Sequence, residues 1–208
     1  MKIVVFPGVG FNSNKNEHTS FCKNIVQKLS QKGIDCEMEF FYWEHNWTLL
    51  DVNLPYKKLR RWLAEIILDF QQVSKYAFEM KVPDADYYMG YSAGSVLAIA
   101  QESKSCIILG SPTVMVESVK PKNQESFSKR FQKAIDYDNR FILNIINKYD
   151  QLAFPINGHN NIENYIYKTN WLRPHTYNPI AAHVNYWNHS NVINKISNTI
   201  SKWHNIFV

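Results

Sequence analysis

The sequence predicts an α/β protein with a mostly parallel sheet and helices on both faces. Three observations predict it. Short apolar runs alternate with helix-period segments along almost the whole chain. One of these units, Tyr87 to Gln101, reads as strand, tight turn and buried helix in direct succession. The length of 208 residues suits one domain with a sizeable core, and no repeat, low-complexity tract or linker divides it. A single domain spanning 1–208 is therefore expected.

Residues 2–6 form the first strand. The run Ile3-Val4-Val5-Phe6 superficially resembles a signal peptide, but it is too short and ends at Pro7-Gly8. His18 to Lys32 reads as a helix, with Phe21, Ile25, Val26 and Leu29 on one face and Gly33 as its stop. Cys36 to Tyr42 is a second, aromatic-rich strand. Pro55 opens a long helical pattern in which Leu59, Trp62, Leu63, Ile66, Ile67, Phe70 and Val73 make an apolar stripe, most simply core. Asp86 to Met89 follows the loop residues Pro83 and Asp84 as a short buried strand. Ser95 to Gln101 is a buried helix with small residues for close packing. Ser105 to Leu109 is the next strand, and 111–124 is irregular. Glu125 to Asp136 places Phe127, Phe131, Ala134 and Ile135 on one helical face. Arg140 to Ile146 and Ile162 to Lys168 are the last strands. Asn191 to Phe207 closes the chain as a helix with Val192, Ile196, Ile200, Trp203 and Phe207 aligned.

The net charge is +5, with basic clusters at Lys57, Lys58, Arg60 and Arg61 and at Lys120, Lys122, Lys129, Arg130 and Lys133. Both clusters interleave with helix-spaced apolar residues, so they read as solvated helix faces rather than a nucleic-acid or lipid surface. No nucleic-acid partner is expected. No run approaches the length of a transmembrane helix, so no stable membrane insertion is expected. The cysteines Cys22, Cys36 and Cys106 lack metal spacing, and their odd number fits a reducing cytoplasm. No His pair has zinc-ligand spacing.

The chemistry concentrates in Gly90-Tyr91-Ser92-Ala93-Gly94, a Gly-x-Ser-x-Gly turn between strand and helix. A serine hydroxyl becomes a nucleophile only beside a base. A sharp strand-to-helix turn exposes the side chain to such a base, at the cost of a strained, positive φ. Gly90 and Gly94 relieve the crowding around it. The turn also opens a helix, which leaves the N–H of Ala93 without an intrahelical partner and favours nearby negative charge. The pattern is short and recurs by chance. The flanking strand and helix give it weight.

A base and an orienting acid belong on later strand ends, in the order Ser, acid, His. Asp150 directly follows the apolar run Phe141 to Ile146 and its loop, and is the leading acid. Its competing reading is a turn or cap residue. Glu163 stands near the start of a strand, and Asp136 and Asp138 precede one, all at the wrong end. Among the histidines, His183 leads, just before the last helix; His189, at the helix start, and His175, beside Pro174, follow. His159 precedes the final strand and is disfavoured. A second oxyanion donor belongs on the loop after the first strand, Pro7-Gly8-Val9-Gly10-Phe11, with Val9 first and Gly10 next. An ordinary strand-to-helix turn is the competing reading there.

Taken together, Phe6-Pro7-Gly8-Val9-Gly10, Gly90-Tyr91-Ser92-Ala93-Gly94, Leu109-Gly110-Ser111-Pro112, Tyr149-Asp150-Gln151-Leu152-Ala153 and His183-Val184-Asn185-Tyr186-Trp187 resemble the α/β-hydrolase superfamily, in particular small lipase- and esterase-like members. The resemblance spans nearly the whole chain. It implies a serine hydrolase acting on an ester or related acyl bond of a small-molecule substrate, with a Ser92–His183–Asp150 triad and no metal or organic cofactor. Two departures stand out. Pro7 occupies the place where many lipases carry His, and, with this strand opening the sequence, the sheet is expected to lack the two leading strands of larger members. Residues 111–137 fall where relatives insert a lid, although the spacing of Phe127 and Phe131 favours packing. The loops 44–53 and 170–182, with Trp47, Trp171 and Tyr177, are candidates for an apolar pocket mouth. An acyltransferase using the same triad and a non-catalytic binding protein on the same fold are the alternatives.

Overall fold

Ile3, Val4, Val5 and Phe6 all lose their solvent exposure, although alternate side chains of a strand point to opposite faces. Such a run needs a layer on each side. In the computed structural model, which describes residues 1–8, 15–42, 77, 79–112, 132–137, 139–169, 182–183, 185–187 and 189–207, it forms β1 (Lys2–Phe6). The further strands are β2 (Glu37–Phe40), β3 (Tyr87–Tyr91), β4 (Cys106–Leu109), β5 (Ile142–Asn147) and β6 (Ile162–Tyr167). All six are parallel, in the order β2-β1-β3-β4-β5-β6.

Helices α1 (Lys15–Ser30) and α3 (Ser190–Phe207) cover one face. They pack Phe21, Ile25, Leu29, Val192, Ile196 and Trp203 against Ile3, Val5, Met89, Ile107 and Leu143. Helix α2 (Gly94–Ala100) covers the other, packing Val96, Leu97 and Ile99 with Val4, Phe6, Tyr88 and Ile108. The expected α/β class, with a parallel sheet between two helical layers, is therefore observed.

Local chemistry explains the element limits. α1 starts at Lys15, earlier than the apolar stripe alone suggests. It ends where Gly33 takes φ 77. There the N–H of Ile34 bonds to Leu29 O at 3.0 Å and that of Gly33 to Ser30 O at 2.9 Å, the paired bonds of a glycine-terminated helix. β2 is shorter than the expected 36–42, and its half-exposed pattern marks it as a sheet edge. Of the expected helix at 125–136, the described part is a helical turn at 132–135 with Ala134 and Ile135 buried. Its other apolar residues, Phe127 and Phe131, lie outside the described residues, as does the apolar stripe from Leu59 to Val73.

Arg140 is buried, and among the described residues no carboxylate pairs with it. Its guanidinium donates to the carbonyls of Ala98, Ile99 and Ala134. These carbonyls end α2 and the 132–135 turn, where the helix dipole favours a cation. Among the described residues, no helix is long and apolar enough to cross a membrane.

One topological feature positions the site. From β1 the chain passes to β2 on one side, then returns to β3 on the other. The order reverses between β1 and β3, and the carboxyl ends there flank a crevice suited to ligands. Phe6 pairs in register with Gly90, so β1 and the elbow strand end side by side.

Candidate active site

β3 ends at Tyr91 and α2 begins at Gly94, so Ser92 and Ala93 alone reverse the chain. Ser92 takes φ 51, a strained state for a residue with a Cβ. Its N–H completes the ladder to Leu109 O at 2.9 Å, which fixes the turn to the end of β4. The turn closes only because its flanks carry no side chain. A Cβ on Gly90 would lie 2.4 Å from Gly94 O, and one on Gly94 would lie 2.2 Å from Phe6 O. At the neighbouring strand end, Gly8 brings its backbone against the serine, so close that a Cβ there would stand 2.9 Å from Ser92 Cβ. Val9 and Gly10 lie outside the described residues. Ala93 is described. Ser95 and Val96 donate back to Ser92 O and Ala93 O at 3.0 and 3.1 Å, and among the described residues no backbone carbonyl accepts from the Ala93 N–H.

Asp150 follows β5 in a turn whose backbone N–H bonds to Asn147 O at 2.9 Å. Its Oδ1 accepts from the Leu152 N–H at 2.9 Å, the local bond of an Asx turn. The competing reading as a turn residue thus describes one oxygen of this aspartate, while the other reaches His183. Asp150 Oδ2 lies 2.8 Å from His183 Nδ1, and His183 Nε2 lies 2.8 Å from Ser92 Oγ. The structure thus brings the three predicted residues into one line, from separate strand ends. A carboxylate only accepts, so Nδ1 carries the proton in this pair, and a neutral ring then presents Nε2 as acceptor to the serine hydroxyl.

The acid side chain is 0% exposed and the histidine 11% exposed. A charge so enclosed must find donors within the protein. Asp150 has the His183 ring, the Leu152 N–H and the Tyr186 hydroxyl, the last at 2.8 Å. The histidine turn is tied down as well. The Tyr91 hydroxyl donates to His183 O at 2.5 Å, and Asn147 Nδ2 donates to Ala182 O at 3.1 Å. Burial first, and then the Asp150 charge, push the phenols of Tyr91, Tyr167 and Tyr186 well above their usual range. All three remain protonated donors.

The other sequence candidates are engaged elsewhere. His159 Nδ1 pairs with Asp136 at 2.7 Å, and Glu163 pairs with Lys195. His175 and Asp138 lie outside the described residues, as do loop residues 44–53 and 170–181. Of the basic clusters, only Lys133 is described, and it is exposed. Among the described residues, no group of three His, Cys, Asp or Glu side chains could hold a metal ion.

His189 caps α3, its carbonyl accepting from Val192 and Ile193 at 3.0 and 3.1 Å. Its ring lies 4.7 Å from that of Tyr167, and its Nδ1 is buried with no partner among the described residues. Burial holds this imidazole below its usual 6.5. The unfolded chain then takes up a proton at higher pH than the folded one, so stability is full above about 6.5 and declines as pH falls through the folded value. His189→Phe is expected to flatten that decline, measured as urea midpoints between about pH 7 and pH 5.

Sequence reasoning missed three supporting residues, Tyr91, Asn147 and Tyr186. Two of them sit inside the quoted motifs, one before the serine and one three residues after the histidine. The spacing carried no role for them.

No family model matches the chain, and no curated protein matches it. The geometry of Ser92, His183 and Asp150 therefore stands as the ground for a function. Chemically, such a line deprotonates a serine hydroxyl as it attacks and stabilises the imidazolium that results.

Proposed function

We propose that the protein is a serine hydrolase, of α/β-hydrolase type, that cleaves an ester or related acyl bond of a small molecule through an acyl-enzyme. The observation that carries this proposal is the unbroken hydrogen-bonded line Ser92–His183–Asp150, with its serine held at φ 51. Strain of this kind persists only where the surroundings enforce it, and it clusters at functional sites.

In this mechanism Ser92 Oγ attacks the acyl carbon while its proton passes to His183 Nε2. Asp150 holds the other ring N–H and the imidazolium charge. The bond to the leaving alcohol breaks, and His183 returns the proton to the alcohol oxygen. Water then gives a proton to His183 as it attacks the acyl carbon, and His183 passes that proton to Ser92 Oγ as the acyl–oxygen bond breaks and the acid leaves. The Ala93 N–H serves the oxyanion, a contribution of about 3 kcal/mol for one such donor. Val9, with Gly10 next, is proposed as the second donor. No cofactor enters any step.

A cytoplasmic location is the reading the thiols favour. Burial pushes Cys22 up to about 12 and Cys36 up to about 11, so both are inert, and Cys106 is buried as well. Such free thiols suit a cytoplasmic protein.

An acyl-chain-length series of chromogenic esters tests the proposal. Hydrolysis with a pre-steady-state burst, and one chain length preferred, is expected. Added alcohols that divert the product to a new ester would mark an acyltransferase using the same site. Folded protein that turns over none of the series would contradict the hydrolase assignment.

A further inference from the structure

Asp150 Oδ2 has two donors, and one of them belongs to no triad. The Tyr186 hydroxyl donates to this oxygen at 2.8 Å, the same distance as His183 Nδ1. The same phenol oxygen accepts from the Asn147 N–H at 2.9 Å. Its direction is fixed, because a backbone N–H can only donate and an ionised carboxylate can only accept. A donor that is itself accepting a hydrogen bond is polarised and donates more strongly.

The surroundings leave the ring no other place. Tyr186 is 0% exposed. Its ring packs with those of Tyr167 and Tyr91, at 5.7 and 5.9 Å between centroids. Across the end of β4, Gly110 takes φ 57, and a Cβ there would meet the Tyr186 ring at 2.9 Å and Asp150 Oδ2 at 3.2 Å. The absence of a side chain at this position is what lets phenol and carboxylate approach. Asn147 joins the parts. Its N–H holds the phenol, its Nδ2 holds the carbonyl before His183, and its Oδ1 accepts from Tyr149, beside Asp150. The phenol stays protonated, so its O–H is present whenever the acid is ionised.

We propose that Tyr186 is a positioning residue, whose hydroxyl, held by the Asn147 N–H, fixes Asp150 Oδ2 in line with His183 Nδ1. The proposal rests on the serine-hydrolase assignment for its kinetic consequence, but not for its spectroscopic one. Without the hydroxyl, Oδ1 keeps its Leu152 anchor while Oδ2 loses one of its two donors, so the carboxylate is free to turn about its own bond and the imidazole follows.

Tyr186→Phe keeps the ring and removes only the hydroxyl. Tyr167→Phe serves as the control, since the Tyr167 hydroxyl bonds to Asn185 O at 3.2 Å and not to the acid. One bond to a charged group corresponds to roughly a ten- to hundredfold effect. Tyr186→Phe is therefore expected to lower kcat by about that factor, with KM within about twofold. The far-downfield proton signal of the His183 Nδ1–H, assigned by its loss in His183→Ala, is expected to move or vanish in Tyr186→Phe and to persist in Tyr167→Phe. If Tyr186→Phe does not fold, 3-fluorotyrosine at position 186 keeps both bonds with a more acidic phenol and is expected to shift the same signal. An unchanged signal in the folded variant, or an unchanged kcat in an enzyme that turns over, would overturn the role of Tyr186. Absence of turnover in the unmodified protein would remove the hydrolase assignment instead, and the proton signal would still decide on Tyr186.

Discussion

Ser92→Ala is expected to lower kcat/KM for the preferred ester by about ten-thousand-fold or more, because removing the nucleophile of a cooperating triad removes the function of all its members. The comparison with Ser92→Gly separates chemistry from strain. Both variants lack the hydroxyl, so both should be inactive. They differ at the backbone, where φ is 51 and a Cβ is unfavourable. Ser92→Gly is therefore expected to be more stable than Ser92→Ala by roughly 1 kcal/mol, read from urea midpoints. Equal stability would mean that the turn holds no strain. Retained turnover in either variant would mean that another residue carries the reaction.

Gly94→Ala should have the largest effect on stability. Its Cβ would lie 2.2 Å from Phe6 O and 2.7 Å from Pro7 O. Both neighbours are backbone, and Phe6 belongs to a strand hydrogen-bonded on each side, so no side chain can swing away to make room. The expected cost is about 3 kcal/mol or more, at the upper end for overpacking, with loss of the elbow geometry and hence of activity. Gly33→Ala is the matched control. There φ is 77 but nothing lies within 4 Å of the new methyl, so only backbone strain of about 1 kcal/mol is expected. Comparable losses at both positions would show that room at Gly94 is not what shapes the turn.

Much of this arrangement is legible in the sequence, and the reason is local. Ile3 to Phe6 reads as a strand because burial leaves its mark in composition. Ser92 stands out because a tight strand-to-helix turn restricts its own neighbours to Gly90 and Gly94. Asp150 and His183 emerge from chain order and from their place after strands. The structure sets them 33 residues apart in sequence and 2.8 Å apart in space.

What stays hidden depends on direction rather than burial. Tyr186 reads as one more aromatic near the last helix, yet its hydroxyl meets an acid 36 residues away and a backbone N–H 39 residues away. Nothing in apolar periodicity records where a phenol points. Arg140 reads as the first residue of a strand. It is buried because carbonyls from two helical ends converge on it, a condition visible only once α2 and the 132–135 turn are in place. The start of α1 at Lys15 lies among polar residues, where an apolar stripe gives no boundary.

The central claim is that His183 and Asp150 make Ser92 a nucleophile. A fluorophosphonate reacts covalently with such a serine and not with an ordinary hydroxyl, so peptide mapping of the adduct reads the claim without knowledge of the substrate. A single adduct on Ser92 is expected, lost in Ser92→Ala and strongly slowed in His183→Ala. Folded protein that forms no adduct, or that carries it on a different residue, would contradict the claim.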